Sequence, residues 1–194
     1  MTTIFFVRHG LVENPKEIFY ARLSGYHLSE KGREEAHRAA LLLKNEPIEA
    51  LYASRMERTM ETAEIISKSL GGLTIQTDDR ILEIRSPLEG HPEDELRAIG
   101  WNHYTENLIA RGGETIEDIV TRLKDFYFEK AGVFSDKKIA LVSHGELMMI
   151  SSLLGRGIKP SHDTIQAPGY PATGSVMELM IDPDAKSIHL LRVF

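Results

Sequence analysis

Apolar residues recur in two rhythms along this chain. Short, wholly apolar runs at Ile4-Phe5-Phe6-Val7 and Ile139-Ala140-Leu141-Val142 predict strands buried on both faces of a parallel sheet. Elsewhere the spacing lengthens to that of a helix. Ser29 can cap a helix in which Ala36, Ala39, Ala40 and Leu43 fall at i, i+3, i+4 and i+7, ended by Pro47. Ile48 to Ala53 reads as the next strand. Ser54 and Glu57 then stand at capping-box spacing before a helix with Met56, Met60, Ala63 and Ile66 on one side, closed by Gly71-Gly72. Thr115 opens a helix with Ile116, Ile119, Val120, Leu123 and Tyr127 on one face, and another runs around Leu147 to Leu154 until Gly155.

Other stretches carry less pattern. Leu73 to Thr77 is a short strand candidate, Ile81 to Ile84 leads into a loop, and Glu93 to Asn107 reads as one weakly patterned helix. Val176 to Ile181 and Ser187 to Val193 predict two strands joined at Asp182-Pro183-Asp184, an antiparallel edge. Because strands alternate with helices for most of the length, the expected fold class is α/β, a three-layer α/β/α sandwich with a mostly parallel sheet. No repeat, linker or low-complexity tract divides the chain, so residues 1–194 are expected to form one domain. The two longest loops, Leu11 to His27 and Pro160 to Thr173, suggest walls around a site, since long loops in compact domains usually have a task.

Composition narrows the function classes. A net charge of -6 argues against a broad nucleic-acid or acidic-membrane surface. There is no Cys, which excludes disulfides and thiolate metal sites and suits a reducing compartment. The first apolar run has no basic stretch before it and is interrupted by Arg8, so neither a signal peptide nor a membrane span is expected, and the default location is the cytoplasm.

The candidate chemistry sits at strand ends. The first run closes in Arg8-His9-Gly10 and the later one in Ser143-His144-Gly145. Glycine allows a sharp turn and close ligand approach, and open α/β sheets bind ligands at the carboxyl ends of their strands. A lone strand-end His followed by Gly is commonly a turn residue; a pair, one preceded by Arg, could face one pocket. Arg58 lies in the first turn of the helix after Ala53, where the macrodipole makes a cation unfavourable unless an anion joins it.

Four motifs in order, Val7-Arg8-His9-Gly10, Ser54-x-x-x-Arg58-x-x-x-Thr62-Ala63, Leu82-Glu83-Ile84 with Glu89-Gly90, and Val142-Ser143-His144-Gly145, closely resemble those of the histidine phosphatase superfamily, also called phosphoglycerate mutase-like. The resemblance runs from about Thr3 through His144. It implies that His9 is the nucleophile and forms a phosphohistidine, and that Arg8, Arg58 and His144 hold the phosphoryl oxygens. It further implies that Glu83 gives the leaving alcohol its proton, and that Asn14 adds a phosphate hydrogen bond. The chemistry suits these types: phosphoryl transfer is mostly positioning and charge stabilisation, for which two arginines and a protonated imidazole serve, and a poor alkoxide leaving group needs an acid. The sequence departs from the family where Leu11 replaces a Glu, Asn14 comes one residue early, and Leu88 replaces an aromatic. Tyr20 and Arg22 lie where the family's first loop can touch substrate.

The implied activity is hydrolysis of a small phosphomonoester with no metal and no cofactor. A phosphoglycerate mutase is the nearest rival. Mutases of this family are generally longer, with extra basic residues between the acid and the second histidine, whereas the compact Glu83–His144 interval offers mainly Arg85, Arg97 and Arg111. A phosphate-recognising module without turnover is a second rival. A metal site of His9, His144 and Glu83 is a third, opposed by Arg8 and Arg58, which would repel a cation. The remaining histidines, including His103, are expected in solvent or core roles.

Overall fold

The computed structural model describes residues 1–194. Its sheet has six strands in the order β3-β2-β4-β1-β5-β6, with β1 Thr2–Arg8, β2 Ile48–Ala53, β3 Ile75–Thr77, β4 Lys138–Ser143, β5 Val176–Asp182 and β6 Ser187–Val193. The first four are mutually parallel, while β5 and β6 run antiparallel as the edge hairpin anticipated from the sequence. Seven α-helices surround the sheet: α1 Glu30–Leu43, α2 Glu57–Ser69, α3 Glu93–Ala98, α4 Glu106–Ala110, α5 Ile116–Val133, α6 Gly145–Gly155 and α7 His162–Ile165. None is long and apolar enough to cross a membrane.

The alternation of side chains along each strand builds a core on either face. Phe5 and Val7 of β1 pack with Leu51, Ala53, Ala140 and Val142 beneath α1 and α2, which contribute Ala39, Leu43, Ala63 and Ile66. Ile4 and Phe6 face the other way, toward Leu123, Phe126 and Tyr127 of α5 and Leu147 and Ile150 of α6. These two apolar layers explain why the strand sequences lack polar alternation, and they make the three-layer sandwich.

Several local expectations change. The Ser54–Glu57 capping box does not form: α2 begins after Met56 with no side-chain cap. Thr59 Oγ1 instead donates to the carbonyls of Ser54 and Met56, at 2.6 and 2.7 Å. The single helix read over Glu93 to Asn107 is broken into α3 and α4 by Gly100 and Trp101, both left-handed, at φ 61° and 57°. A short 3-10 turn, Asp79–Ile81, precedes the loop that carries Glu83. The second long loop contains α7, capped reciprocally by Ser161 and Thr164. Thr115 opens α5 as expected, and does so through a capping box with Asp118.

Candidate active site

The carboxyl ends of β1, β2 and β4 converge. His9 N donates to Ser143 O and Ser54 N to Val142 O, both at 3.0 Å, so the ladder continues one step past the strands and fixes these residues. Gly10 then turns the chain under α1. A Cβ on Gly10 would lie 2.1 Å from the Gly32 carbonyl oxygen, and one on Gly32 would lie 2.0 Å from that of Leu11. No side chain fits at this crossing. Gly10 N also donates to Thr62 Oγ1 at 3.2 Å, tying the turn to α2.

His9 and His144 are both buried, with ring centroids 5.4 Å apart in an edge-on arrangement. His9 Nδ1 lies 2.8 Å from the carbonyl of Gly10. A carbonyl only accepts, so the proton belongs on Nδ1, which leaves the lone pair on Nε2. Burial, reinforced by Arg58 and Arg8, holds the His9 pKa well below that of a free imidazole.

Arg58 is fully buried. Its Nη2 donates to Ala21 O at 2.6 Å and lies 3.2 Å from His144 Nδ1, and Tyr20 covers the guanidinium at 4.8 Å. Its Nε and Nη1, together with Arg8 Nε, are buried donors without a partner. Three unanswered cationic N–H groups around one imidazole define a place for an anion, because such groups are seldom left orphaned. Arg8 is braced by the carbonyl of Pro171 and by the Tyr170 ring. A Cβ on Gly145 would lie 2.8 Å from the Arg8 guanidinium carbon, which explains the glycine after His144.

The protonated His144 anticipated above takes a different form. Its Nδ1 faces the donor Arg58, so it accepts there, and Nε2 gives its proton to Ser54 Oγ at 2.9 Å. The ring is neutral in this arrangement. Burial and the nearby Arg58 push its pKa well down. Ser54, expected to cap a helix, thus orients an imidazole.

Glu83 completes the group, with Oε2 at 3.6 Å from His144 Nδ1 and Oε1 accepting from Ile84 N at 2.9 Å. Its pKa is raised, because burial outweighs the pull of Arg58. The segment is held by its backbone: Arg122 Nη1 donates to Leu82 O and Arg22 Nε to Glu83 O, each at 2.7 Å, and Glu114 pairs with both arginines. Arg22 therefore supports Glu83 from behind, whereas Tyr20 lines the cavity.

Asn14 makes its hydrogen bonds mainly within its own loop. Its amide oxygen accepts from Ile18 N at 3.2 Å, and its Nδ2 donates to Ile18 O at 3.0 Å and weakly to Glu93. Arriving early in the loop, it folds the loop on itself. The cavity includes His103, Trp101, Glu93, Glu146 and Tyr170, which carried no sequence signal beyond their residue types. No cluster of three or more His, Asp or Glu is arranged to hold a metal.

Comparison with known proteins agrees with this geometry. The chain belongs to the histidine phosphatase superfamily (branch 1), whose profile it matches over residues 4–193. It is 30% identical over 167 residues to phosphoserine phosphatase 1 of Hydrogenobacter thermophilus, covering 80% of this chain and 77% of that one. It is 39% identical over 89 residues to the Mycobacterium tuberculosis protein Rv0525, a match spanning 46% of this chain and only 44% of that one. Among solved structures, Bacillus stearothermophilus YhfR superposes with a TM-score of 0.82 at 25% identity, covering 98% of this chain and 95% of that one.

Proposed function

We propose that this protein is a phosphatase that hydrolyses a small phosphomonoester through a phosphohistidine on His9. One observation carries the reading: a buried imidazole with its proton fixed on Nδ1 lies beside the unpartnered N–H groups of Arg8 and Arg58. The phosphoryl oxygens take those donors. The His9 Nε2 lone pair attacks phosphorus, the bond from phosphorus to the alcohol oxygen breaks, and Glu83 delivers its proton to that oxygen. Water then attacks phosphorus, Glu83 takes a proton from it, and the P–N bond breaks to release inorganic phosphate and return neutral His9. His144 keeps Arg58 aimed, and Asn14 shapes the first loop.

The experiment is a rapid acid-free quench with phosphate-labelled p-nitrophenyl phosphate, followed by mapping of the labelled residue. Label on His9, lost in acid, is expected, with turnover abolished in His9→Ala and unaffected by exhaustive chelation, since the arginines supply the positive charge a metal would otherwise bring. Activity lost to a chelator and restored by a divalent ion would refute it. Binding of phosphate with no turnover of any ester would leave a recognition module. Interconversion of phosphoglycerates without phosphate release would make the protein a mutase.

A further inference from the structure

The cavity over His9, about 390 Å³, is larger than a phosphoryl group requires, and its walls differ from its floor. The floor is cationic, with Arg8 and, behind it, Arg58. No other Arg and no Lys lines the cavity; besides Glu83, its acidic residues are Glu93 and Glu146.

Glu146 stands in the first turn of α6 and is buried. It accepts from the hydroxyl of Tyr104 and, at 3.2 Å, from that of Tyr170. A carboxylate can accept about four such bonds, so capacity remains for a ligand. Glu93 pairs with Arg97 at 2.9 Å, which is exposed and lies outside the cavity lining.

The third wall is aromatic. Phe19 stacks on His103 at 4.7 Å and meets Trp101 edge-on at 6.5 Å. His103 adds no cation, since burial lowers its pKa to about 4. Trp101 holds φ 57° beside Gly100. A bulky residue is rarely found in that left-handed region, and such strain is concentrated at functional sites; here it places an indole on the wall.

We infer that the alcohol half of the substrate is a compact group without a carboxylate that carries a donating hydroxyl or ammonium, seated between Phe19, Trp101 and His103 and the acids Glu93 and Glu146. The inference rests on the phosphatase reading. Burial raises the Glu146 pKa to about 7, so a carboxylate placed there meets Glu93 and, from neutral pH upward, a charged Glu146, with no lining cation left over from the phosphoryl group, and such juxtaposition selects against a ligand. A hydroxyl or ammonium finds acceptors instead, and an ammonium also gains from aromatic faces.

The test uses pairs of similar size that differ by one charge: 3-phosphoglycerate against glycerol 3-phosphate, and ethyl phosphate against phosphoethanolamine. kcat/KM is measured on the wild type, and binding by titration calorimetry on His9→Ala, so that the ranking does not depend on turnover. Glycerol 3-phosphate should exceed 3-phosphoglycerate by roughly tenfold or more, the scale of one unfavourable charge contact of about 1.4 kcal/mol, and phosphoethanolamine should exceed ethyl phosphate. Glu93→Gln and Glu146→Gln should each narrow both gaps, and the first serves alone if the second fails to fold. Equal or better handling of 3-phosphoglycerate, or gaps unchanged in a folded Gln variant, would overturn the inference. If nothing, p-nitrophenyl phosphate included, is hydrolysed while the calorimetric ranking holds, the phosphatase reading fails and the pocket's selectivity stands.

Discussion

At the scale of single residues, His9 and Glu83 need opposite protonation states at the same moment, and one buried environment provides both. Removal from water disfavours a charged imidazole and a charged carboxylate alike, so the His9 pKa falls and the Glu83 pKa rises. The rate should therefore decline on the acid side as His9 gains a proton, and on the alkaline side as Glu83 loses one. Alkyl esters should turn over best below neutral pH. The ester's own second ionisation, near pH 6, is common to wild type and Glu83→Gln, so the difference between their pH profiles isolates the Glu83 limb. The Gln variant should lack it. Glu83→Gln should also slow alkyl esters by about 10²–10⁴-fold, the usual worth of a positioned acid, and slow the first step of p-nitrophenyl phosphate much less, because a phenolate leaves without a proton. Equal losses on both substrates would remove Glu83 from the leaving-group step.

At the scale of elements, the crossing of the first loop over α1 depends on two missing side chains. Glycine within a helix normally costs about 1 kcal/mol relative to alanine, so Gly32→Ala on propensity alone would stabilise α1. The carbonyl of Leu11 reverses the sign, since the new Cβ would lie 2.0 Å from it. Urea unfolding of Gly32→Ala should show a net loss of about 1–3 kcal/mol, the usual cost of overpacking, with reduced kcat as the loop carrying Ala21 and Tyr20 shifts. A variant as stable as wild type would show that the crossing relaxes without cost. The start of α2 teaches a related lesson about what a sequence can say. Ser54-x-x-Glu57 fits a cap, yet the serine hydroxyl meets an imidazole delivered by β4. Local spacing cannot foresee a partner ninety positions away.

At the scale of the whole molecule, the central strands were legible because burial on both faces leaves uninterrupted apolar runs, and the edge hairpin because two apolar segments flank Asp182-Pro183-Asp184. His9, Arg8, Arg58 and His144 were legible because they stand at the ends of those runs or one turn beyond. The rest of the cavity was not. Glu146, His103 and Trp101 come from segments whose periodicity is weak or wholly apolar, and only the closing of the chain brings them over β1. Asn14 is bonded to Ile18 of its own loop, a local turn that the motif spacing does not reveal. The fold also joins its layers at this place: Arg58 comes from the α1–α2 side and Glu146 from the α5–α6 side. The buried Arg58 guanidinium, with Nε and Nη1 turned to no protein acceptor, has a thermodynamic consequence. Taking a guanidinium out of water weighs against the native state, and only its Nη2 meets protein partners, Ala21 O and His144. Occupancy by any tetrahedral oxyanion relieves that burden. Inorganic phosphate at a hundredfold excess over its Kd should raise unfolding free energy by about 2.7 kcal/mol, seen as a higher melting temperature. Arg58→Met should abolish the response, and it should melt higher than the wild type does without anion. Catalytic competence and thermal robustness are thus set against each other at one side chain.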